Sequence, residues 1–275
     1  MRKHRMFRLL IPLALLSAVA IAWAVLGTAG SDNAVWPEAA GEAGQKDGKL
    51  VIDYSHMDQG YVMARVKEQT GHTMKLRVTY NGGQLMYDIN NNGNYEAYPL
   101  QLGSGTYEFA LFENVKGSKF SAEGKITFNA QLRDENAAFL VPNQYVSYNR
   151  NSATVLKSDE ICAGKSQKES FDAICNFMAS EFTYDFVRAK TISSGTMPEV
   201  DPCFEKRSGI CQDLAAVMVC MCRVQGIPAK LVIGYADKYY HAWTLCVVDG
   251  KEVFFDPTEA IGAINASSHS IERVY

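Results

Sequence analysis

Cys211 follows Ser208-Gly209-Ile210 and stands where a helical pattern begins, so its thiol falls in the first turn of a helix. There the macrodipole and the unpaired backbone N–H groups favour a thiolate, the nucleophilic form of cysteine. Most free cysteines are small buried hydrophobes, and position alone does not make one a reagent. A base within reach is the missing part. Two strand-like runs downstream, His241 to Val248 and Lys251 to Asp256, are joined by Asp249-Gly250, a preferred two-residue hairpin turn. In that register Val248 faces Lys251 and Trp243 faces Asp256, with His241 on the same face as Trp243. His241 and Asp256 become diagonal neighbours about 7–8 Å apart between backbones, a gap that long side chains close. An acid beside an imidazole orients it and stabilises its charged form, as a thiol's proton acceptor requires. Taken singly, a strand histidine is more often a structural hydrogen-bonder and an aspartate before proline a turn residue. The hairpin register is what joins them.

The elements that must position these groups are readable around them. Ser166-Gln167-Lys168-Glu169 is a capping box, and Phe171, Ile174, Cys175, Met178 and Phe182 recur at helical spacing behind it. A second helix runs from near Ile210 to Gln225 and is stopped by Gly226 and Pro228. A strand from Ala229 to Tyr235 precedes the hairpin. Between the helices, Val187 to Arg207 contains Gly195, Pro198 and Pro202 and shows no period, which predicts a long loop lining a site. That segment and the tyrosine-rich approach 235–240 (Tyr235, Tyr239, Tyr240) are where substrate specificity is expected.

Ser208-Gly209-Ile210-Cys211-Gln212-Asp213, His241-Ala242-Trp243 and Phe255-Asp256-Pro257-Thr258 resemble the three motifs of the transglutaminase-like superfamily, in order. Phe182-Thr183-Tyr184-Asp185 and Gly226-Ile227-Pro228-Ala229 add to the resemblance, which covers roughly residues 165–260. It implies an α+β fold, a papain-like core in which the helix bearing the cysteine packs on an antiparallel sheet. It further implies a triad with Cys211 as nucleophile, His241 as base and then acid, and Asp256 as orienter. The reaction implied is acyl transfer from a peptide or protein amide through a thioester, resolved by an amine or by water. Hydrolysis by a cysteine protease or amidase uses the same triad, and an inactive binding protein that kept the fold is the reading from another class. The backbone N–H of Cys211 and the Tyr184 hydroxyl are candidate oxyanion donors. Thr244 and Glu259 depart from the family pattern, standing where a polar amide and an aromatic are common.

The preceding region has a different pattern. Leu50–Tyr54, Tyr61–Val66, Met74–Tyr80, Leu85–Ile89, Tyr95–Leu100, Thr106–Phe112 and Lys125–Leu132 read as seven short strands of an immunoglobulin-like β-sandwich over residues 50–147, ahead of a catalytic domain over 148–275. Tyr107, in Gly103-Ser104-Gly105-Thr106-Tyr107, is a candidate corner tyrosine. Asp88-Ile89-Asn90-Asn91-Asn92-Gly93 matches the front half of a calcium loop, but Pro99 occupies the twelfth position where a bidentate glutamate belongs, and a hairpin turn is the reading adopted. No metal site and no cofactor are expected.

At the start of the chain, Arg2, Lys3, Arg5 and Arg8 precede an uncharged run from Leu9 to Leu26. Residues 1–29 therefore read as a signal peptide or an N-terminal membrane anchor, with the remainder secreted or tethered outside the cytoplasm. Residues 30–49 have the composition of a flexible linker. With 27 Lys+Arg against 30 Asp+Glu in 275 residues, there is no cationic excess to neutralise phosphates, and nucleic acid is excluded as a partner. Besides Cys211 the chain has Cys162, Cys175, Cys203, Cys220, Cys222 and Cys246, an even set that allows up to three disulfides or simple burial.

Overall fold

The computed structural model describes residues 33–275. The basic and apolar N-terminal segment, with the signal or anchor read from it, lies outside the described residues. Among them, no helix is long and apolar enough to cross a membrane.

The first part of the chain forms β1 (Gly44–Asp47), β2 (Leu50–Asp53), β3 (Tyr61–Val66), β4 (Met74–Tyr80), β5 (Gly83–Ile89), β6 (Glu96–Pro99), β7 (Gly105–Lys116) and β8 (Lys119–Ala130). They make two antiparallel four-stranded sheets, in the orders β1-β2-β3-β6 and β5-β4-β7-β8. Alternation drives the packing: Met74, Leu76 and Val78 of β4 turn inward, as do Leu50 and Ile52 of β2, and both sheets bury one shared core. Tyr107 is fully buried; its hydroxyl donates to the Gly103 carbonyl at 2.9 Å and accepts from the Leu102 N–H at 3.1 Å. That is the geometry of a corner tyrosine.

Two expectations are corrected here. Residues 44–47, placed in a flexible linker, form a strand paired with β2, and Trp36 packs edge-on against Tyr148 (centroids 6.0 Å apart) with Arg150 over its ring. The side chains of β1 are all exposed, so its order comes from backbone pairing, which leaves no hydrophobic signature in the composition. The Asp88–Asn94 segment is not a hairpin turn: it carries the chain from β5 to β6, which lie in different sheets. Two of its side-chain oxygens are engaged, with Asp88 paired to Lys75 and Asn92 Oδ1 accepting from the Asn94 N–H.

The second part contains α1 (Ala153–Cys162), α2 (Gln167–Glu181), β9 (Thr183–Tyr184), α3 (Phe186–Thr191), α4 (Val200–Lys206), β10 (Ser208–Gly209), α5 (Cys211–Val224), β11 (Ala229–Ala236), β12 (Tyr239–Val248), β13 (Lys251–Phe255), α6 (Pro257–Ala260) and β14 (His269–Val274). The last sheet is antiparallel in the order β13-β12-β11-β14. Helix α5 is its partner. Every residue from Asp213 to Val224 is buried, and α5 packs on β11 and β12 on one side and on α1, α2 and α4 on the others. The architecture is α+β, a cysteine-bearing helix on an antiparallel sheet preceded by antiparallel sheets. The stretch expected as one long irregular loop instead carries α3 and α4. Helix α3 buries no side chain and α4 is only seven residues long, so neither had room for a detectable apolar period.

One buried charge holds the helix to its surroundings. The guanidinium of Arg223 is fully buried and donates to three carbonyls: Nε to Ala229 at 2.9 Å, Nη1 to Val141 at 2.6 Å and Nη2 to Tyr275 at 3.0 Å. Its fork shape lets one side chain satisfy three acceptors from different segments.

Candidate active site

The hairpin has the register expected of it. Val248 pairs with Lys251 and Thr244 with Phe255, and Asp249 and Gly250 both have positive φ (48° and 74°), as a tight two-residue turn needs. Continued one step, this ladder sets Asp256 beside Trp243, and His241 Nε2 reaches Asp256 Oδ2 at 2.7 Å. Both side chains are buried, at 5% and 0% exposure. Thr244 tightens the same end, its hydroxyl donating to the Phe255 carbonyl at 2.7 Å. Asp256 is also the N-cap of α6, where Oδ1 accepts from the N–H groups of Thr258 (2.8 Å) and Glu259 (3.3 Å).

Cys211 is the first residue of α5 and is partly exposed, and its thiol interacts with the His241 ring. With Nε2 engaged by Asp256, Nδ1 is the ring nitrogen free to meet it. Burial alone would lower the imidazole pKa, but the Asp256 hydrogen bond and the Cys211 thiol outweigh it and hold His241 up at about 9.

Tyr184 arrives by a separate route. β9 and β10 form a two-residue parallel pair that sets Tyr184 opposite Gly209, with the Asp185 N–H on the Gly209 carbonyl at 2.9 Å. The Tyr184 hydroxyl thereby meets both the backbone N–H and the thiol of Cys211. Burial pushes Tyr184 up to about 12, so it carries its proton at neutral pH and can donate it in a hydrogen bond. Gly209 itself is demanded by close approach: a Cβ there would lie 2.6 Å from Cys203 Sγ and 2.9 Å from Asp213 Cβ.

Reasoning from sequence missed three residues of this neighbourhood. Asp213, buried beneath the start of α5, accepts from the Ile210 N–H (3.2 Å), the Glu199 N–H (3.1 Å) and Arg188 Nε (3.1 Å), and so ties α3, the lead into α4 and the nucleophile helix together. Its signal was present, since an acid at the third helical position is the capping-box place. Arg188 also pairs with Glu199 at 2.9 Å. His269, on β14, lies against Trp243 and Phe254, and nothing in its local sequence marks it.

All seven cysteines are free thiols. Cys222 and Cys246 are fully buried with sulfurs 4.0 Å apart, and burial pushes the Cys175 and Cys203 thiols up to about 12. Of the six other cysteines, five are buried and Cys175 is partly buried.

Residues 157–257 match the model of the transglutaminase-like superfamily. This segment is a transglutaminase-like core. Its superfamily is one of cysteine-dependent enzymes, and the match spans all three of Cys211, His241 and Asp256. Among solved structures, the chain is similar to a proposed cysteine protease from Cytophaga hutchinsonii, at 15% identity and a TM-score of 0.40, covering 85% of this chain and 90% of that one. It is also similar to a TGase at 19% identity and a TM-score of 0.35 (58% of this chain, 46% of that one). A third similar structure is the red sea bream transglutaminase, at 12% identity and a TM-score of 0.28 (72% and 48%). No curated protein sequence matches the chain.

Proposed function

We propose that the protein is a thiol enzyme that transfers the acyl group of a peptide or protein amide through a thioester on Cys211. The observation that carries this reading is the position of His241, between the Cys211 thiol on one side and the buried Asp256 carboxylate, at 2.7 Å, on the other. The thiol proton passes to His241 and the sulfur attacks the amide carbon. The carbonyl electrons move onto oxygen, where the Cys211 N–H and the Tyr184 hydroxyl are the donors at hand. Collapse of that adduct breaks the C–N bond while His241 returns the proton to the departing nitrogen, leaving the thioester. An amine or water then attacks, again giving its proton to His241, and the thiol is released.

Two surfaces support a macromolecular substrate. Phe186 and Val187 on α3, and Tyr235, Tyr239 and Tyr240 on the β11–β12 turn, are exposed aromatic and aliphatic side chains, and we assign specificity to them. The sandwich is read as immunoglobulin-like and as a positioning or recognition module. Its split into β1-β2-β3-β6 and β5-β4-β7-β8, together with the Tyr107 corner, supports that assignment. The protein is placed outside the cytoplasm, secreted or tethered, on the strength of the basic and apolar residues 1–26.

The test is the rate of iodoacetamide labelling of Cys211 against pH, read on its own peptide by mass spectrometry, in the wild type and in His241→Ala. Labelling that is fast below about pH 8.5, the usual range of a free thiol, and slow in the variant supports the reading. Equal, slow labelling in both refutes it. A labelled amine offered together with a peptide amide then separates transfer from hydrolysis.

A further inference from the structure

Asp256 Oδ2 faces a second imidazole besides that of His241. His269 Nε2 lies 3.6 Å from it, too far for a hydrogen bond, and that nitrogen is buried without a hydrogen-bond partner. The ring is fixed there, edge-on to both Trp243 and Phe254 with centroids 4.9 Å away in each case. Glu259 completes the group from the other side. Its Oε1 accepts from the Ala266 N–H at 3.0 Å, which keeps the carboxylate at the edge of the group. One ligand atom from each of Asp256, Glu259 and His269 lies within 4.8 Å of the others.

We propose that Asp256, Glu259 and His269 bind a divalent transition-metal cation of the zinc type, and that the bound cation restrains the neighbouring Cys211–His241 pair. The distances suit it. With zinc–nitrogen and zinc–oxygen bonds near 2.1 Å, neighbouring ligands of a tetrahedral site stand about 3.4 Å apart, so His269 and Asp256 are already close to that spacing. Glu259, at the partly exposed end, closes the remaining gap by a side-chain rotation that exchanges its Ala266 N–H bond for the cation. A buried imidazole nitrogen that faces a carboxylate oxygen at 3.6 Å without a hydrogen bond leaves both as ligand atoms for a cation between them. Imidazole with two carboxylates suits zinc and its first-row neighbours better than an all-oxygen cation such as magnesium. Oδ1 keeps its two backbone donors, and one lone pair of Oδ2 remains for His241.

The cation would draw on the same carboxylate that stabilises charge on His241. A cation on Oδ2 competes for the oxygen that orients His241 at 2.7 Å, and so loosens the imidazole from its place beside Cys211. Binding at the site stands apart from the proposed reaction, whereas the effect on Cys211 rests on that reading.

The experiment has two arms, both on the full chain. In Cys211→Ser, which removes the reactive thiol as a competing ligand, zinc chloride is titrated calorimetrically. One ion per chain is expected, with affinity falling about tenfold or more in Glu259→Gln and in His269→Ala. Thermal melts without metal establish that each variant is folded, and the near-isosteric Glu259→Gln covers a failure of the other. No binding, or binding that neither substitution weakens, overturns the site. In the second arm, zinc should slow iodoacetamide labelling of wild-type Cys211, a chelator should restore it, and Glu259→Gln should blunt the slowing. Slowing that persists undiminished in Glu259→Gln puts zinc on Cys211 itself and overturns the restraint, as does labelling indifferent to zinc. Should Cys211 fail to label even without zinc, the proposed reaction falls, while the calorimetric arm still decides the site.

Discussion

The Asp256 carboxylate divides its two oxygens between two tasks: Oδ2 holds His241 at 2.7 Å, and Oδ1 caps α6 through the N–H groups of Thr258 and Glu259. Orientation of the imidazole and the start of the helix are thus set by one side chain, and substitutions can separate them.

Asparagine caps helices as well as aspartate does, so Asp256→Asn should keep the α6 cap and lose only the stabilisation that the charged Asp256–His241 pair supplies below about pH 9. Turnover should fall by roughly 10²–10⁴-fold, the usual contribution of general acid–base catalysis. Asp256→Ala should add a stability loss of about 0.5–2 kcal/mol from the missing cap. Urea denaturation alongside acyl-transfer rates for the two variants checks both halves.

His241 titrates in the folded protein at about 9, above its ordinary 6.5. The folded state therefore holds the proton more tightly, and the stabilisation is fully present below about pH 6.5 and is lost as pH rises through about 9. The difference in unfolding free energy between wild type and His241→Ala should accordingly shrink from pH 6 to pH 10. A difference that grew over that range would contradict the assignment of the shift.

Tyr184→Phe removes the hydroxyl beside Cys211 that we propose as an oxyanion donor, so turnover should drop on the order of 10²–10³-fold. Alkylation by iodoacetamide develops no oxyanion, and its rate at Cys211 should change far less. Comparing the two rates distinguishes an oxyanion donor from a residue that merely supports the thiol.

Arg223→Met should destabilise the protein by about 2–4 kcal/mol, because three buried carbonyls lose their shared donor at about 1–3 kcal/mol each and only part of that is returned by no longer burying a charge. Arg223→Lys should recover little, since a single ammonium cannot span acceptors on three segments. Chemical denaturation midpoints of both variants test this.

The parts of the fold legible in the sequence are those where side chains announce the backbone. Asp249-Gly250 set the hairpin register, and from it followed the meeting of His241 with Asp256. Ser166 and Glu169 marked the start of α2, confirmed by the reciprocal bonds of the capping box. Elements held by backbone bonds or by single polar residues were not legible. β14 is an edge strand with mostly exposed residues on both faces, so His269 had no alternating pattern around it. Arg188 sits on a helix with no buried face, and its role depends on Asp213, distant in sequence. Trp36 lay in a segment of linker composition because one anchoring aromatic does not change an average.

Cys211 and Arg223 stand near opposite ends of α5, about 18 Å apart along a helix that rises about 1.5 Å per residue. One end carries the thiol, and the other is moored through a guanidinium to Val141, just past the sandwich. A helix buried along nearly its whole length cannot bend independently of its packing, so it acts as a rod. The seat of that helix, and with it the place of the thiol beside its imidazole, is therefore shared between the core and the segment that leads into it.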